Sequence, residues 1–99
     1  MFILEPATET VAKEKLEALC FAPHDVLTTP AARHRRQWQA DRATTLGKSY
    51  RDKVDIYLQT ADGSTKRLQA IVLDNDDDYL TLKSGAPLPL NCVLYIDFN

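Results

Sequence analysis

Basic side chains and one indole are concentrated in the middle of this 99-residue chain. Residues 33–53 carry seven basic and two acidic side chains, whereas the flanking segments, residues 1–32 and 54–99, are each acidic overall. Arginine and lysine recognise phosphate and carboxylate groups, and an aromatic ring beside them can stack on a nucleic-acid base. The residues predicted to contact nucleic acid or another partner are Arg33, Arg35, Arg36, Trp38, Arg42, Lys48, Arg51 and Lys53.

Two interpretations of this basic segment stay open. In the first, its cations form a surface for phosphates, with Trp38 or Tyr50 available for stacking. In the second, the arginines of a solvated helix pair with the acidic turn at residues 76–78 of the same molecule. The second is favoured, because nucleic-acid-binding domains are usually basic overall, and this chain has a net charge of −2 and a pI of about 5.6.

Other groupings of reactive side chains lack the spacing that their chemistry requires. The aspartates of residues 74–78 have neither the central glycine nor the distal glutamate of a calcium loop, so they are interpreted as a solvated turn. Four soft zinc ligands have no zinc-knuckle spacing: Cys20, His24, His34 and Cys92. No serine elbow and no glycine-rich phosphate loop occurs. The sequence therefore predicts a protein that is not an enzyme and that holds no metal and no cofactor.

Helical signals fill the first half of the chain. Apolar residues recur at helical spacing over about residues 10–21, and Pro23 ends that pattern. Thr29 followed by Pro30 is typical of an N-cap and the first helical position. These residues predict a second helix over about residues 30–45.

The sequence also predicts where the second helix ends and which side chain anchors it to the rest of the fold. Gly47 is interpreted as its terminator, because glycine readily adopts the left-handed conformation that follows many helices. Trp38 is the one large apolar side chain among many arginines. It is therefore predicted to be the buried anchor of this helix, with a cost of roughly 3 to 5 kcal/mol on truncation.

From residue 54 onward the apolar period changes from helical to two, which is typical of half-buried strands. Asp62-Gly63 marks a hairpin turn, and residues 65–74 are expected to form one continuous strand. The predicted fold is α+β, with the two N-terminal helices followed by a five-stranded antiparallel SH3-like barrel in which the last strand pairs beside the first. The predicted core is Val54, Ile56, Leu58, Leu68, Ala70, Val72, Leu80, Leu82, Leu94, Ile96 and Phe98.

The strand and turn pattern of residues 54–98 resembles that of Sm-like proteins and of small bacterial antiterminators that bind a transcription termination factor. In Sm-like proteins an arginine–glycine pair contacts RNA, but this chain has Leu90-Asn91-Cys92 at that turn, so no RNA-binding residue is carried over. Three further segments resemble a group of small bacterial proteins without a known activity: Arg36-Gln37-Trp38-Gln39-Ala40, Thr60-Ala61-Asp62-Gly63 and Leu82-Lys83-Ser84-Gly85.

Residues 1–99 are predicted to form a single domain, with a helical part over residues 1–53 and a small β-barrel over residues 54–99. No signal peptide and no membrane span is expected, and two distant cysteines suit a reducing cytoplasm, where both are interpreted as core-filling thiols. The predicted function is a non-enzymatic cytoplasmic interaction module with a protein partner. The alternative is a nucleic-acid-binding small barrel that uses the basic helix over residues 33–53.

Overall fold

One helix and seven strands make up the part of the chain that the computed structural model describes, which is residues 9–11 and 20–98. The strands are β1 (Glu9–Val11), β2 (Val54–Gln59), β3 (Thr65–Ala70), β4 (Val72–Asn75), β5 (Tyr79–Leu82), β6 (Pro87–Pro89) and β7 (Val93–Asp97). The helix, α1, is Pro30–Tyr50, and a 3₁₀ turn at Leu90–Cys92 joins β6 to β7.

The strands form two sheets, and these do not close into the predicted SH3-like barrel. In the first sheet β3, β2 and β7 are antiparallel and β1 lies parallel to β3, while β4, β5 and β6 form a second antiparallel sheet. The expected continuous strand over residues 65–74 breaks at Ile71, which lies between β3 and β4. This break sends the chain into a second sheet, and the five-stranded barrel prediction is therefore wrong. The last strand does pair with β2.

The predicted core is buried apart from Leu94 and Phe98, which are half-buried. Alternation along each strand determines which side chains point inward. The list of core residues is therefore largely correct, although the strands form two sheets and not a barrel. β2 differs from the expected half-buried strand, because Asp55 and Tyr57 on its second face are also buried. Tyr57 packs there beside Tyr95 of β7, with ring centroids 6.1 Å apart.

The predicted helix over residues 10–21 is wrong at both of its ends. Thr10 and Val11 belong to β1, and Phe21 forms an isolated β-bridge with Thr60. β-Branched residues fit a strand better than a helix, and Thr10 also accepts hydrogen bonds from the guanidinium of Arg67 on β3. Residues 12–19, in the middle of the predicted helix, lie outside the described residues.

Helix α1 starts where the sequence predicts but ends later. The Thr29 hydroxyl accepts a hydrogen bond from the backbone N–H of Ala32 at 3.2 Å, which confirms the N-cap. The helix runs through Gly47 and ends at Tyr50, and Arg51 adopts the left-handed cap conformation with φ of 54°. Gly47 is thus not the terminator. A Cβ at this position would overlap the carbonyl oxygen of Val72, so glycine lets the helix approach β4 closely.

Small and polar side chains, rather than Trp38, fix α1 to the sheets. Trp38 is 58% exposed, so the buried-anchor prediction is wrong. The amide oxygen of Gln39 accepts a hydrogen bond from the backbone N–H of Ile96 at 3.1 Å. The buried residues of α1 recur every three or four positions, which places them on one stripe of the helix facing β4 and β7. They are Arg36, Gln39, Ala40, Ala43 and Gly47.

We predict that Gly47→Ala destabilises the protein even though alanine is the better helix former. The added Cβ collides with backbone of β4 rather than with a side chain that can rotate away, so we expect the free energy of unfolding to fall by about 2 kcal/mol or more. Urea denaturation measures the change. Ser49→Ala, at an exposed position of the same helix, is the control and should be neutral or slightly stabilising. A Gly47→Ala variant as stable as the parent would contradict the close approach.

Candidate functional site

The structure divides the predicted contact residues among three places. An α-helix completes one turn every 3.6 residues, so basic residues that are close in sequence lie on different flanks of α1. Arg33 and Arg36 face the loop that precedes the helix, where both contact Asp25. Arg35 and Arg42 share a flank with Trp38, by helical spacing. Lys48 and Arg51 lie beyond them at the C-terminal end of the helix, and Lys53 is exposed in the segment that follows.

The buried guanidinium of Arg36 forms an ion pair with Asp25, which is half-buried. The two terminal nitrogens of its guanidinium each donate to one carboxylate oxygen of Asp25 at 2.8 Å, and one of them also donates to the Val93 carbonyl at 3.2 Å. Arg33 adds a second, more exposed contact, with Nε 3.2 Å from the Asp25 carboxylate. The hydrogen bond from Arg36, aided by the Leu27 N–H and by both positive charges, lowers the pKa of Asp25 below its ordinary value.

Arg33 and Arg36 of the helix do not form ion pairs with the acidic turn at residues 76–78. Asp76 accepts hydrogen bonds from the backbone N–H groups of Asp78 and Tyr79, both at 2.7 Å, and these bonds lower its pKa. The ion pairs that the helix arginines form within the described ranges are with Asp25. Pairing of these two arginines with the acidic turn is therefore wrong as an interpretation. Sequence analysis also missed Asp25 as their partner.

An exposed aromatic and cationic surface runs along an outer flank of α1. We define the Trp38 surface as Trp38, Arg42 and Tyr50 of α1 together with Phe98. The Trp38 and Phe98 rings meet edge to face with centroids 6.4 Å apart, and the Arg42 guanidinium carbon lies 5.9 Å and 5.7 Å from the two centroids. A groove of about 420 Å³ follows this flank and is also lined by Asp41. The indole is thus held in place while remaining open to solvent.

The two cysteines occupy different environments. Cys92 is buried, its thiol donates to the Pro89 carbonyl at 3.0 Å, and burial raises its pKa to about 12. Cys20 is exposed, so the expectation that it fills the core is wrong. Among residues 9–11 and 20–98, no three histidine, cysteine, aspartate or glutamate side chains come together in a way that could hold a metal ion.

No family model, no curated protein and no solved structure matches this chain. The resemblance to Sm-like proteins and to small bacterial proteins therefore stays a prediction. Nor does the described part of the chain contain a helix with the length and apolar character needed to cross a membrane. The functional conclusion depends on the chemistry of the surfaces themselves.

We predict that Asp25→Asn lowers the free energy of unfolding by about 3 kcal/mol at neutral pH, because it leaves the buried Arg36 guanidinium without its counter-charge. The folded-state pKa of Asp25 lies below the ordinary value of 3.8. The contribution of the ion pair is therefore complete above that value and is lost as the pH falls through the lower folded-state pKa. The stability difference between parent and variant should shrink accordingly in acid.

Urea denaturation at neutral pH and in acid tests both parts of this prediction. The matched control is Asp77→Asn, which removes the same charge from an exposed position in the acidic turn. We expect that control to change the free energy of unfolding by less than about 0.5 kcal/mol. A stability difference between parent and Asp25→Asn that stays constant down to the lowest pH would show that the ion pair is not its source.

Proposed function

We propose that this protein is a non-enzymatic interaction module that binds a protein partner through the Trp38 surface. The observation that carries the proposal is the 58% exposure of an indole that packs against Phe98 and Arg42. The helix does not need Trp38 for docking, because its buried face consists of other residues. Tryptophan, tyrosine and arginine are the side chains that most often dominate the binding energy of protein interfaces. The Trp38 surface contains all three.

The local charge favours a protein over a nucleic acid. Arg42 and Asp41 line the same groove, so their charges offset each other, and Arg35 on the same flank adds one positive charge, which is few for a phosphate-binding surface. Lys48 and Arg51 line a different groove, and Arg36 is buried in its ion pair. The net charge of −2 adds to this argument. Aromatic residues and arginine are enriched in protein interfaces relative to the rest of the surface.

Single-stranded nucleic acid is the second candidate, and one observation favours it. The Trp38 indole with the Arg42 guanidinium beside it offers the kind of stacking platform on which bases bind without sequence preference. Such binding weakens steeply as salt rises, because it releases counterions from the phosphates. A protein interface centred on a buried indole should depend far less on salt. Salt dependence and sensitivity to nuclease therefore separate the two candidates.

The primary experiment is affinity capture from extract of the source cells with the tagged parent protein, with and without nuclease. We expect a captured protein that resists nuclease and that Trp38→Ala no longer retains. Tyr79→Ala is the matched control, because Tyr79 is an exposed aromatic residue that lines a different groove, with Asp77 and Asp78. Loss of the captured protein after nuclease treatment would support the nucleic-acid candidate instead.

Trp38 also provides a direct optical test. It is the one tryptophan of the chain, so the intrinsic emission at long excitation wavelength reports on the proposed surface. Titration with the purified captured protein, chosen or engineered to lack tryptophan, should shift this emission to shorter wavelength as the indole leaves water. An unchanged emission at saturation would place the partner elsewhere on the protein.

We predict that Trp38→Ala costs only about 1 kcal/mol in the free energy of unfolding. More than half of the side chain is already in water, so its truncation removes little buried area and opens no closed cavity. Thermal denaturation of parent and variant measures this. A loss of several kcal/mol would show that Trp38 is a structural anchor. In that case the failure of the variant to capture a partner would result from unfolding and not from a lost contact.

A further inference from the structure

A second exposed groove lies beside the C-terminal end of α1. We define the basic groove as Lys48, Arg51 and Lys83 on its rim with Ile71 and Leu73 below them. The two aliphatic side chains are half-buried, the three cationic residues are exposed, and the groove encloses about 280 Å³. The end of α1 and the turn after β5, which are distant in sequence, thus bring cations around an apolar surface at the start of β4.

The backbone explains why these side chains meet. Ile71 lies at the break between β3 and β4, and an irregularity in the pairing of β4 with β5 falls at Leu73, while Val72 between them is buried. The backbone N–H of Lys83 donates to the Ile71 carbonyl at 2.9 Å, which places Lys83 beside this break. Gly47 has no side chain to hold the helix away, so the end of α1 approaches the same point.

Arg51 occupies a backbone conformation that normally favours glycine. Its φ of 54° is the one positive value among the non-glycine residues of the described ranges. The backbone N–H of Arg51 caps the helix by donating to the Gly47 carbonyl, a bond that glycine would form equally well. The capping role therefore does not require an arginine, and the side chain that Arg51 carries lines the groove.

The charges of the groove are not neutralised within the described part of the chain. None of the side chains of Lys48, Arg51 and Lys83 forms an ion pair or a hydrogen bond with another described residue. Three like charges around one small groove favour the binding of an anion between them. The aliphatic side chains below the cations add a preference for an apolar group on the same ligand.

We infer that the basic groove binds a short acidic segment of a protein, in which carboxylates flank an aliphatic side chain. The carboxylates would pair with the three cations, and the aliphatic side chain would cover Ile71 and Leu73. Among the described residues no aromatic side chain lines the groove, so this part of the chain offers nucleic-acid bases no stacking surface there. Its volume lies just below the range for small-molecule pockets, so it is small for a drug-sized ligand but leaves room for one aliphatic side chain. This inference does not depend on the Trp38 surface.

The probe is a dye-labelled peptide with one leucine flanked on each side by two glutamates, measured by fluorescence anisotropy. Two matched peptides replace the glutamates with glutamine or the leucine with serine. We expect each replacement to weaken binding to the parent protein about tenfold or more, because each removes one of the two complementary features. Equal binding of the glutamine peptide would overturn the inference of carboxylate recognition, and equal binding of the serine peptide that of an aliphatic contact.

Arg51→Gly is the most informative variant, because its effects on binding and on stability should differ. We expect the peptide to bind at least fivefold more weakly, while the thermal midpoint stays the same or rises because glycine adopts this conformation without strain. Lys53→Gln removes the same charge at an exposed position outside the groove and should leave binding within twofold of the parent. Equal losses of peptide affinity in Arg51→Gly and Lys53→Gln would show that binding depends on the net charge of the protein. That result would overturn the proposed site.

Two further measurements distinguish the basic groove from the Trp38 surface. Trp38→Ala should bind the glutamate–leucine peptide as the parent does, so a failure of the Trp38 proposal leaves this one testable. A thymidine oligonucleotide should not displace the peptide at equal concentration. Displacement by the oligonucleotide that Arg51→Gly abolishes would assign the groove to phosphates and overturn the peptide assignment.

Discussion

The buried guanidinium of Arg36 is the constraint on which the arrangement of the helix and the sheets depends. A charge removed from water must find its partners inside the protein, and Arg36 finds them in the Asp25 carboxylate and the Val93 carbonyl. One side chain thereby joins the loop before α1, the helix itself and β7. The geometry of this contact fixes the rotation of α1, since any turn of the helix would separate the guanidinium from both partners.

That rotation determines which side chains remain available for binding. With Arg36 directed inward, the small residues Ala40, Ala43 and Gly47 follow on the same stripe and let the helix lie close to the sheets. Trp38 then falls on an outer flank, where Phe98 and Arg42 pack beside it. The helix C-terminus falls beside Ile71. Both candidate surfaces thus result from the packing of one helix.

Local patterns were sufficient to predict some of these features. Alternation identified the inward residues of the strands, and Thr29 with Pro30 identified the start of the helix, because each signal depends on neighbouring residues alone. Gly47 misled the prediction, since its role depends on the Val72 carbonyl, which is distant in sequence. No feature of the sequence marks Ile71 as the point where one sheet ends and the other begins.

The basic segment shows a second limit of sequence reasoning. Closeness along a helix does not place side chains on one surface, because successive residues point in different directions. Arg36 and Trp38 are two positions apart, and the charged one is buried while the aromatic one is exposed. The spacing of small residues at positions 40, 43 and 47 was the available signal for the buried face. The prediction relied on large apolar residues and therefore missed this stripe of small ones.

The contacts of α1 also bear on how this protein avoids aggregation. β7 is an edge strand, and exposed edge strands offer unpaired backbone groups to other chains. Arg36 and Gln39 bond to the backbone of Val93 and Ile96 on this strand, so side chains of the helix satisfy groups that could otherwise pair with a second molecule. β6, at an edge of the other sheet, has prolines at both ends and therefore few N–H donors. Both edges are in this way less open to strand addition.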